Sequence, residues 1–212
     1  MPVVGTVTVA CPACGIEQDC ELIQSINSRS EPAAKTRLLR GDLNVLACAC
    51  GRRTGLAADL LYVDPDAGFY CQVVASGSQD MAEAAARFAD AGVTGTLRLV
   101  PSKNALVEKV RILDAGLADW AVEMAKVLLL AARQPPALDR VLLFDGVDRS
   151  ADKVRWLLLP VDPGDRAVPL ASALVSVERL AERTRGQPGP AQLQVDRAWA
   201  VEAVRTMVEG AS

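Results

Sequence analysis

The chain has 212 residues, with six cysteines and no histidine, and this bounds the chemistry it can do. Four cysteines form two close pairs, each followed by glycine: Cys11-Pro12-Ala13-Cys14-Gly15 and Cys48-Ala49-Cys50-Gly51. Two cysteines three apart on a tight turn can aim both sulfurs at one point. Proline fixes φ inside such a turn, and a glycine after the second cysteine permits the positive φ it often needs. The second pair repeats the arrangement one residue shorter. Together the pairs supply four thiolates, which suits tetrahedral zinc. The expectation is one structural Zn2+ in a closed site made by Cys11, Cys14, Cys48 and Cys50.

Two other readings of these residues stay open. A C-x-x-C pair also marks thiol redox sites, and a redox protein would use Cys11 and Cys14. Such sites put the first cysteine at a helix N-terminus, and Gly15 followed by a polar stretch starts a helix poorly. The single residue between Cys48 and Cys50 constrains their geometry, and Cys20 is the thiol that would replace one of them. Otherwise Cys20 and Cys71 read as buried, inert thiols within strands.

The missing histidine removes Ser-His-Asp and Cys-His nucleophile pairs, His-ligated metals and His-held haem. No G-x-x-x-x-G-K or G-x-G-x-x-G is present, so nucleotide binding has no motif support. Asp145, Asp148, Asp152, Asp162 and Asp165 cluster in predicted loops, but their spacing matches no calcium loop and reads as solvated turns.

The elements that must position the cysteines follow from pattern. Val3 to Ala10 alternates as a strand leading into Cys11, and Cys20 to Ile26 reads as a second strand. Glu31 to Arg40 reads as a short helix, with Ser30 as its N-cap and Gly41 as its stop. Leu43 to Ala47 is a strand that delivers Cys48. Leu60 to Val63 and Phe69 to Val74 flank Asp64-Pro65-Asp66-Ala67-Gly68 as a hairpin. A helix over Gln79 to Ala91 and a strand over Thr96 to Val100 come next. The longest helical pattern runs from Lys103 to Arg133, bent or interrupted at Gly116. Its apolar positions Leu106, Val110, Leu113, Leu117 and Trp120 make one core-facing stripe. Arg140 to Phe144 and Val154 to Val161 form a second hairpin. Val177 to Thr184 is a helix with Ser176 as N-cap, Gln192 to Val195 a short strand, and Asp196 caps a last helix through Val208. Trp156 and Trp199 read as core anchors. Strands and helices come in blocks, so the class is α+β, a mixed or antiparallel sheet with packed helices and a zinc-ribbon-like cysteine module. The module is expected to be an excursion from that sheet.

Several segments resemble one family. Cys11-Pro12-Ala13-Cys14, Ser25-Ile26-Asn27, Leu38-Leu39-Arg40-Gly41-Asp42-Leu43-Asn44 and Cys48-Ala49-Cys50-Gly51 are similar to the CpXC domain, a bacterial and archaeal family named for two such cysteine pairs. The likeness continues through Leu60-Leu61-Tyr62-Val63-Asp64 and Asn104 to Ile112, and covers about residues 8 to 130. It implies the metal site and no particular activity. The chain departs from the pattern at the second pair, where the family has Cys-Pro-x-Cys. On this reading residues 1–134 are a CpXC-like domain, with the zinc module at about 8–56, and residues 135–212 are an α+β portion continuous with the same body.

Charge and hydropathy limit the partners. The net charge of -3 argues against a surface built wholly for nucleic acid. A local basic patch of Arg29, Lys35, Arg37, Arg40, Arg52 and Arg53 lies in or beside the cysteine module and is the route by which nucleic acid would bind. No aromatic interleaves it, so base stacking has no support. The start of the chain has no basic n-region, and the apolar runs are too short to span a bilayer. The chain is expected to be cytoplasmic, where reduced thiols favour metal over disulfides. The leading role is a zinc-stabilised interaction or scaffold protein with a protein partner and no catalytic residues. Nucleic-acid binding and thiol redox chemistry are the alternatives.

Overall fold

The computed structural model describes residues 3–75, 81–162, 164–189 and 191–210. It is an α+β chain that divides into two compact units, Met1–Val107 and Glu108–Ser212.

The first unit opens with two antiparallel strands, β1 (Val4–Ala10) and β2 (Glu17–Ile23), which pair from Val4↔Ile23 to Ala10↔Glu17. Strand β2 begins three residues before Cys20. In a two-stranded hairpin neither face is fully covered, so Glu17, Gln18 and Asp19 can be strand residues despite their polarity. At Gln24 the chain leaves this pairing. Strand β3 (Ser25–Asn27) joins a different sheet, so the single strand expected over Cys20 to Ile26 is two.

That sheet has the order β3-β6-β7-β8, with β6 (Leu60–Asp64), β7 (Phe69–Val73) and β8 (Thr96–Val100). Strands β6 and β7 form the expected hairpin. The pairs β3/β6 and β7/β8 are parallel, so each needs a crossover connection. Helix α2 (Met81–Asp90) lies in the β7-to-β8 crossover. The β3-to-β6 crossover contains α1 (Pro32–Leu39), then a hairpin of β4 (Val45–Ala47) and β5 (Arg53–Gly55). The second cysteine pair sits on that hairpin's turn. The second half of the cysteine module is thus an excursion from the mixed sheet, as expected, whereas the first half, the β1-β2 hairpin, precedes that sheet and pairs by itself. Glu31, not Ser30, stands at the start of α1, with Pro32 in its first turn. The Glu31 carboxylate turns back to accept the Asn27 N–H at 2.9 Å, so the helix is held onto β3 from outside its own first turn.

The helix expected over Lys103 to Arg133 is two helices, α3 (Lys103–Asp114) and α4 (Asp119–Ala131). Gly116 explains the break. With φ of +71° it forms a Schellman ending, in which Gly116 N–H donates to Leu113 O and Leu117 N–H to Ile112 O. Leu106 and Val110 are fully buried, and Leu113, Leu117 and Trp120 are partly so.

The second unit is an antiparallel sheet of order β11-β10-β9 with helices α4, α5 (Leu174–Arg183) and α6 (Arg197–Glu209). Its strands are β9 (Leu142–Asp148), β10 (Lys153–Leu158) and β11 (Val168–Ala173). Its core joins Val122 and Met124 of α4 to Phe144, Val154 and Trp156, with the Phe144 and Trp156 rings edge-on at 6.0 Å. Trp199 packs, partly buried, against this cluster. Asp196 caps α6 as expected, accepting Trp199 N–H at 3.1 Å. Three details differ from pattern. Gln192 to Val195 is not a strand. Helix α5 starts at Leu174 with Ala173 before it, so Ser176 lies inside its first turn. Strand β11 escapes sequence reading because of Pro169, which is tolerated there because β11 is an edge strand. Asp145 and Asp148, expected in loops, lie in β9: Asp145 accepts from Arg155 Nε–H at 3.1 Å, and Asp148 closes the following turn by accepting from Ser150 N–H and Oγ–H and from Ala151 N–H.

A buried charge network has no signature in the sequence. The Lys109 ammonium lies 3.0 Å from Asp119 and 3.5 Å from Glu123, and donates to Val195 O at 2.6 Å. Lys126 lies 2.9 Å from Glu108 and 3.0 Å from Glu123. Glu108 also accepts the Phe144 N–H at the free edge of β9, 2.6 Å away. Burial works to discharge Lys126, but the Glu123 and Glu108 carboxylates more than offset it and hold its ammonium above the usual lysine range. Glu123 is the shared centre. Glu123→Ala takes one carboxylate partner from each buried ammonium, leaves Lys109 with Asp119 and Lys126 with Glu108, and should cost about 1–3 kcal/mol in urea unfolding. A loss under 1 kcal/mol would show that the network adds little.

Candidate metal centre

Each cysteine pair occupies the turn of a hairpin, and the backbone of each turn is closed by its own hydrogen bonds. In the first, Cys11 N–H donates to Ile16 O at 2.9 Å and Gly15 N–H to Cys11 O at 2.8 Å. In the second, Cys48 N–H donates to Arg52 O at 2.9 Å and Gly51 N–H to Cys48 O at 2.9 Å. The turns therefore share one design, although the second is a residue shorter. Gly15 and Gly51 have φ of +75° and +87°, and a Cβ at either would meet nothing within 4 Å. Backbone conformation, not space, requires glycine there.

The two turns face each other. One sulfur from each of Cys11, Cys14, Cys48 and Cys50 lies within 4.8 Å of the other three. The Cys11 and Cys50 sulfurs are 3.7 Å apart, and those of Cys14 and Cys48 3.5 Å. A tetrahedron of sulfurs with metal–sulfur bonds of about 2.3 Å has edges of about 3.8 Å. The Cys11–Cys50 and Cys14–Cys48 edges have the length of a tetrathiolate cage's, and the four residues fit a metal ion. Both of these short sulfur contacts run between hairpins, so the shorter spacer at Cys48 and Cys50 is accommodated. Cys20 stands outside the quartet, partly buried beside it, and Cys71 is buried in β7. Among the described residues, the loop aspartates converge on no common point.

The quartet has a dry side and a wet side. Cys11 and Cys48 are buried with Leu46 against Val9, Cys20 and Leu56, whereas Cys14 and Cys50 reach solvent. The Ala13 backbone N–H, then that of Cys14, draws the Cys11 thiol down to about 6. The Ile16 N–H favours the Cys14 thiolate, but the Cys48 sulfur, burial and the sulfurs of Cys50 and Cys11 outweigh it, and Cys14 is pushed up to about 12. One sulfur ionises readily, and the next resists sharing the space with it. A divalent cation at the centre removes that conflict.

Two residues support the site that cysteine spacing could not reveal. The Gln18 side-chain N–H donates to the Cys48 sulfur at 3.0 Å, across from one hairpin to the other. Such donors orient a ligand and moderate its charge. Asn44 is 3% exposed and has φ of +50°, a conformation asparagine tolerates better than most residues. Its Oδ1 accepts Ile23 N–H and its Nδ2 donates to Ile23 O, both at 2.9 Å. The side chain thus acts as a short strand partner that ties the end of β2 to the lead-in of β4. The Lys103 ammonium, from the start of α3, donates to Leu43 O and Asn44 O behind this clamp.

The basic residues near the module are partly committed. Arg29 pairs with Asp66, Lys35 lies 3.7 Å from Asp64, and Arg53 lies 2.8 Å from Asp42. Among the described residues Arg37, Arg40 and Arg52 carry no ion pair.

A family model described as CpXC protein matches residues 9–126, more than half of the chain and all four quartet cysteines. The chain belongs to the CpXC family. No curated protein and no solved structure matches it. In this CpXC protein the matched region takes in both cysteine turns, β2, the β4-β5 hairpin, the whole mixed sheet and α3, and leaves most of β1 outside. Among the described residues no helix is long and apolar enough to cross a membrane.

Asn44→Ala should leave the Ile23 N–H and C=O without partners. An unfolding midpoint measurement should show a loss of about 1–3 kcal/mol, and metal affinity should fall with it. Asn44→Asp, which keeps the acceptor but not the donor, should lose less. Equal stability of all three proteins would contradict the clamp.

Proposed function

We propose that this CpXC protein is a zinc-stabilised interaction protein, in which one Zn2+ is held by Cys11, Cys14, Cys48 and Cys50 and serves structure, not catalysis. The observation that carries the reading is the four-sulfur cage, whose Cys11–Cys50 and Cys14–Cys48 edges are near those of a zinc tetrathiolate. Four sulfur ligands fill a tetrahedron and leave no position for substrate, and soft thiolates select zinc over magnesium or calcium. With zinc bound, the two hairpins are cross-linked at their turns, and a module too small for a large core of its own becomes rigid. The chain's lack of histidine and of nucleotide motifs fits a protein that acts by presenting surfaces to a partner.

Against the thiol redox alternative, Cys11 and Cys14 open no helix, since β2 follows them. The sulfur contacts at 3.7 and 3.5 Å also pair them with Cys50 and Cys48. Nucleic-acid binding keeps a specific observation in its favour, the cations Arg37, Arg40 and Arg52, which carry no ion pair among the described residues. Its weakness is that Arg29, Lys35 and Arg53 already face carboxylates.

Purified protein should contain one zinc per chain by elemental analysis. Cys11→Ser should bind none and lose the ordered β1-β2 and β4-β5 hairpins, because structural zinc contributes roughly 10–16 kcal/mol apparent in small modules. Cys71→Ser should keep its zinc. Metal-free wild-type protein with unchanged stability would sink the reading. For nucleic acid, oligonucleotide binding should be absent at low salt. Binding that weakens steeply with salt and is abolished by Arg37→Glu with Arg40→Glu would replace the interaction reading with the nucleic-acid one.

A further inference from the structure

The second unit carries an open apolar groove with a one-sided charge. Helices α4, α5 and α6 form it, and its cavity volume is about 360 Å³. Leu128 and Leu129 of α4, Val177 and Leu180 of α5 and Met207 of α6 make the floor. Leu128 is 36% exposed in a helix whose other residues are mostly buried, so the groove opens to solvent. Arg179 and Arg183 line the rim, one helical turn apart, with Ser176 before them. Residues four apart on a helix share a face. No carboxylate among the described residues pairs with either arginine. The acidic residues of α5, Glu178 and Glu182, lie in a separate depression beside Trp120, on the other flank of the helix.

We infer that this groove is a docking site for an acidic amphipathic helix of a partner protein. Three observations select that occupant. The floor is apolar and bounded by helices, which suits a helix presenting apolar side chains at i, i+3 or i+4 and i+7. Met207 gives it an adaptable surface. The two unpaired arginines supply a cationic rim on a chain whose net charge is -3, so carboxylates along one edge of the incoming helix complete what the groove lacks. Nucleic acid matches the rim but has no use for the floor. The inference rests on the interaction reading above and names the partner's chemistry. It does not depend on the metal.

The test is a selection from a random peptide-display library on the full, zinc-loaded chain, with each recovered peptide then measured by fluorescence anisotropy. Recovered peptides should be helical, with apolar residues at helical spacing and Asp or Glu on one edge. Their affinity should fall at least tenfold for Arg179→Glu with Arg183→Glu. Arg179→Gln with Arg183→Gln should weaken binding less and serves if the reversal fails to fold, and Leu128→Glu should abolish it. No recovered peptide, or peptides without acidic residues, would overturn the inference. So would peptides indifferent to these changes, which would leave the interaction reading standing on another surface. Two controls identify other occupants. Decanoate binding that depends on the arginines, without peptide enrichment, would assign the groove to a small apolar carboxylate. A sedimentation dimer lost in the reversed variant would assign it to a second copy.

Discussion

Four sulfurs that cannot all be charged without a cation occupy one small space, and the first unit is built around that constraint. The cage needs Cys11 and Cys14 from one hairpin and Cys48 and Cys50 from another, separated by more than thirty residues of sequence that include a sheet strand and a helix. Each hairpin presents its sulfurs through a turn closed by backbone hydrogen bonds and completed by a positive-φ glycine. Neither hairpin has the area to stand alone. A divalent cation held at the junction would join them through the thiolates, while Asn44 and Gln18 join them through hydrogen bonds. A metal there and the polar clamp would act on the same pair of hairpins from two places, so loss of either should loosen the other.

The mixed sheet gives the excursion its fixed ends. Strand β3 leads into α1 and the β4-β5 hairpin, and the chain then returns as β6, parallel to β3. A parallel return requires a long connection, and α1 with the second cysteine hairpin occupies it. Chain topology thus gives the second cysteine pair its room. The second unit solves its own problem differently, with a buried network centred on Glu123 and a core of Phe144, Val154 and Trp156.

Much of this was legible in the residues. The paired cysteines and their glycines announce the cage, because thiolate chemistry and positive φ are properties of residue type and spacing. Strand β8, the β6-β7 hairpin, and the Asp196 cap on α6 also follow from local pattern. What was not legible depends on tertiary context. Pro169 hides β11, since nothing local says the strand lies at an edge. Gly116 marks a break in the long helical pattern, but only its Schellman hydrogen bonds make two helices of it. Asn44 reads as a loop residue until Ile23 is placed beside it. The Lys109, Lys126 and Glu123 network looks like an ordinary charged helix surface, because burial of a paired charge leaves no trace in sequence.

X-ray absorption at the zinc edge of the purified protein tests the account at its centre. A tetrathiolate cage predicts one zinc with four sulfur neighbours at about 2.3 Å and no nitrogen or oxygen in the coordination shell. Zinc with three or fewer sulfurs, or protein that carries no zinc at all, would contradict it.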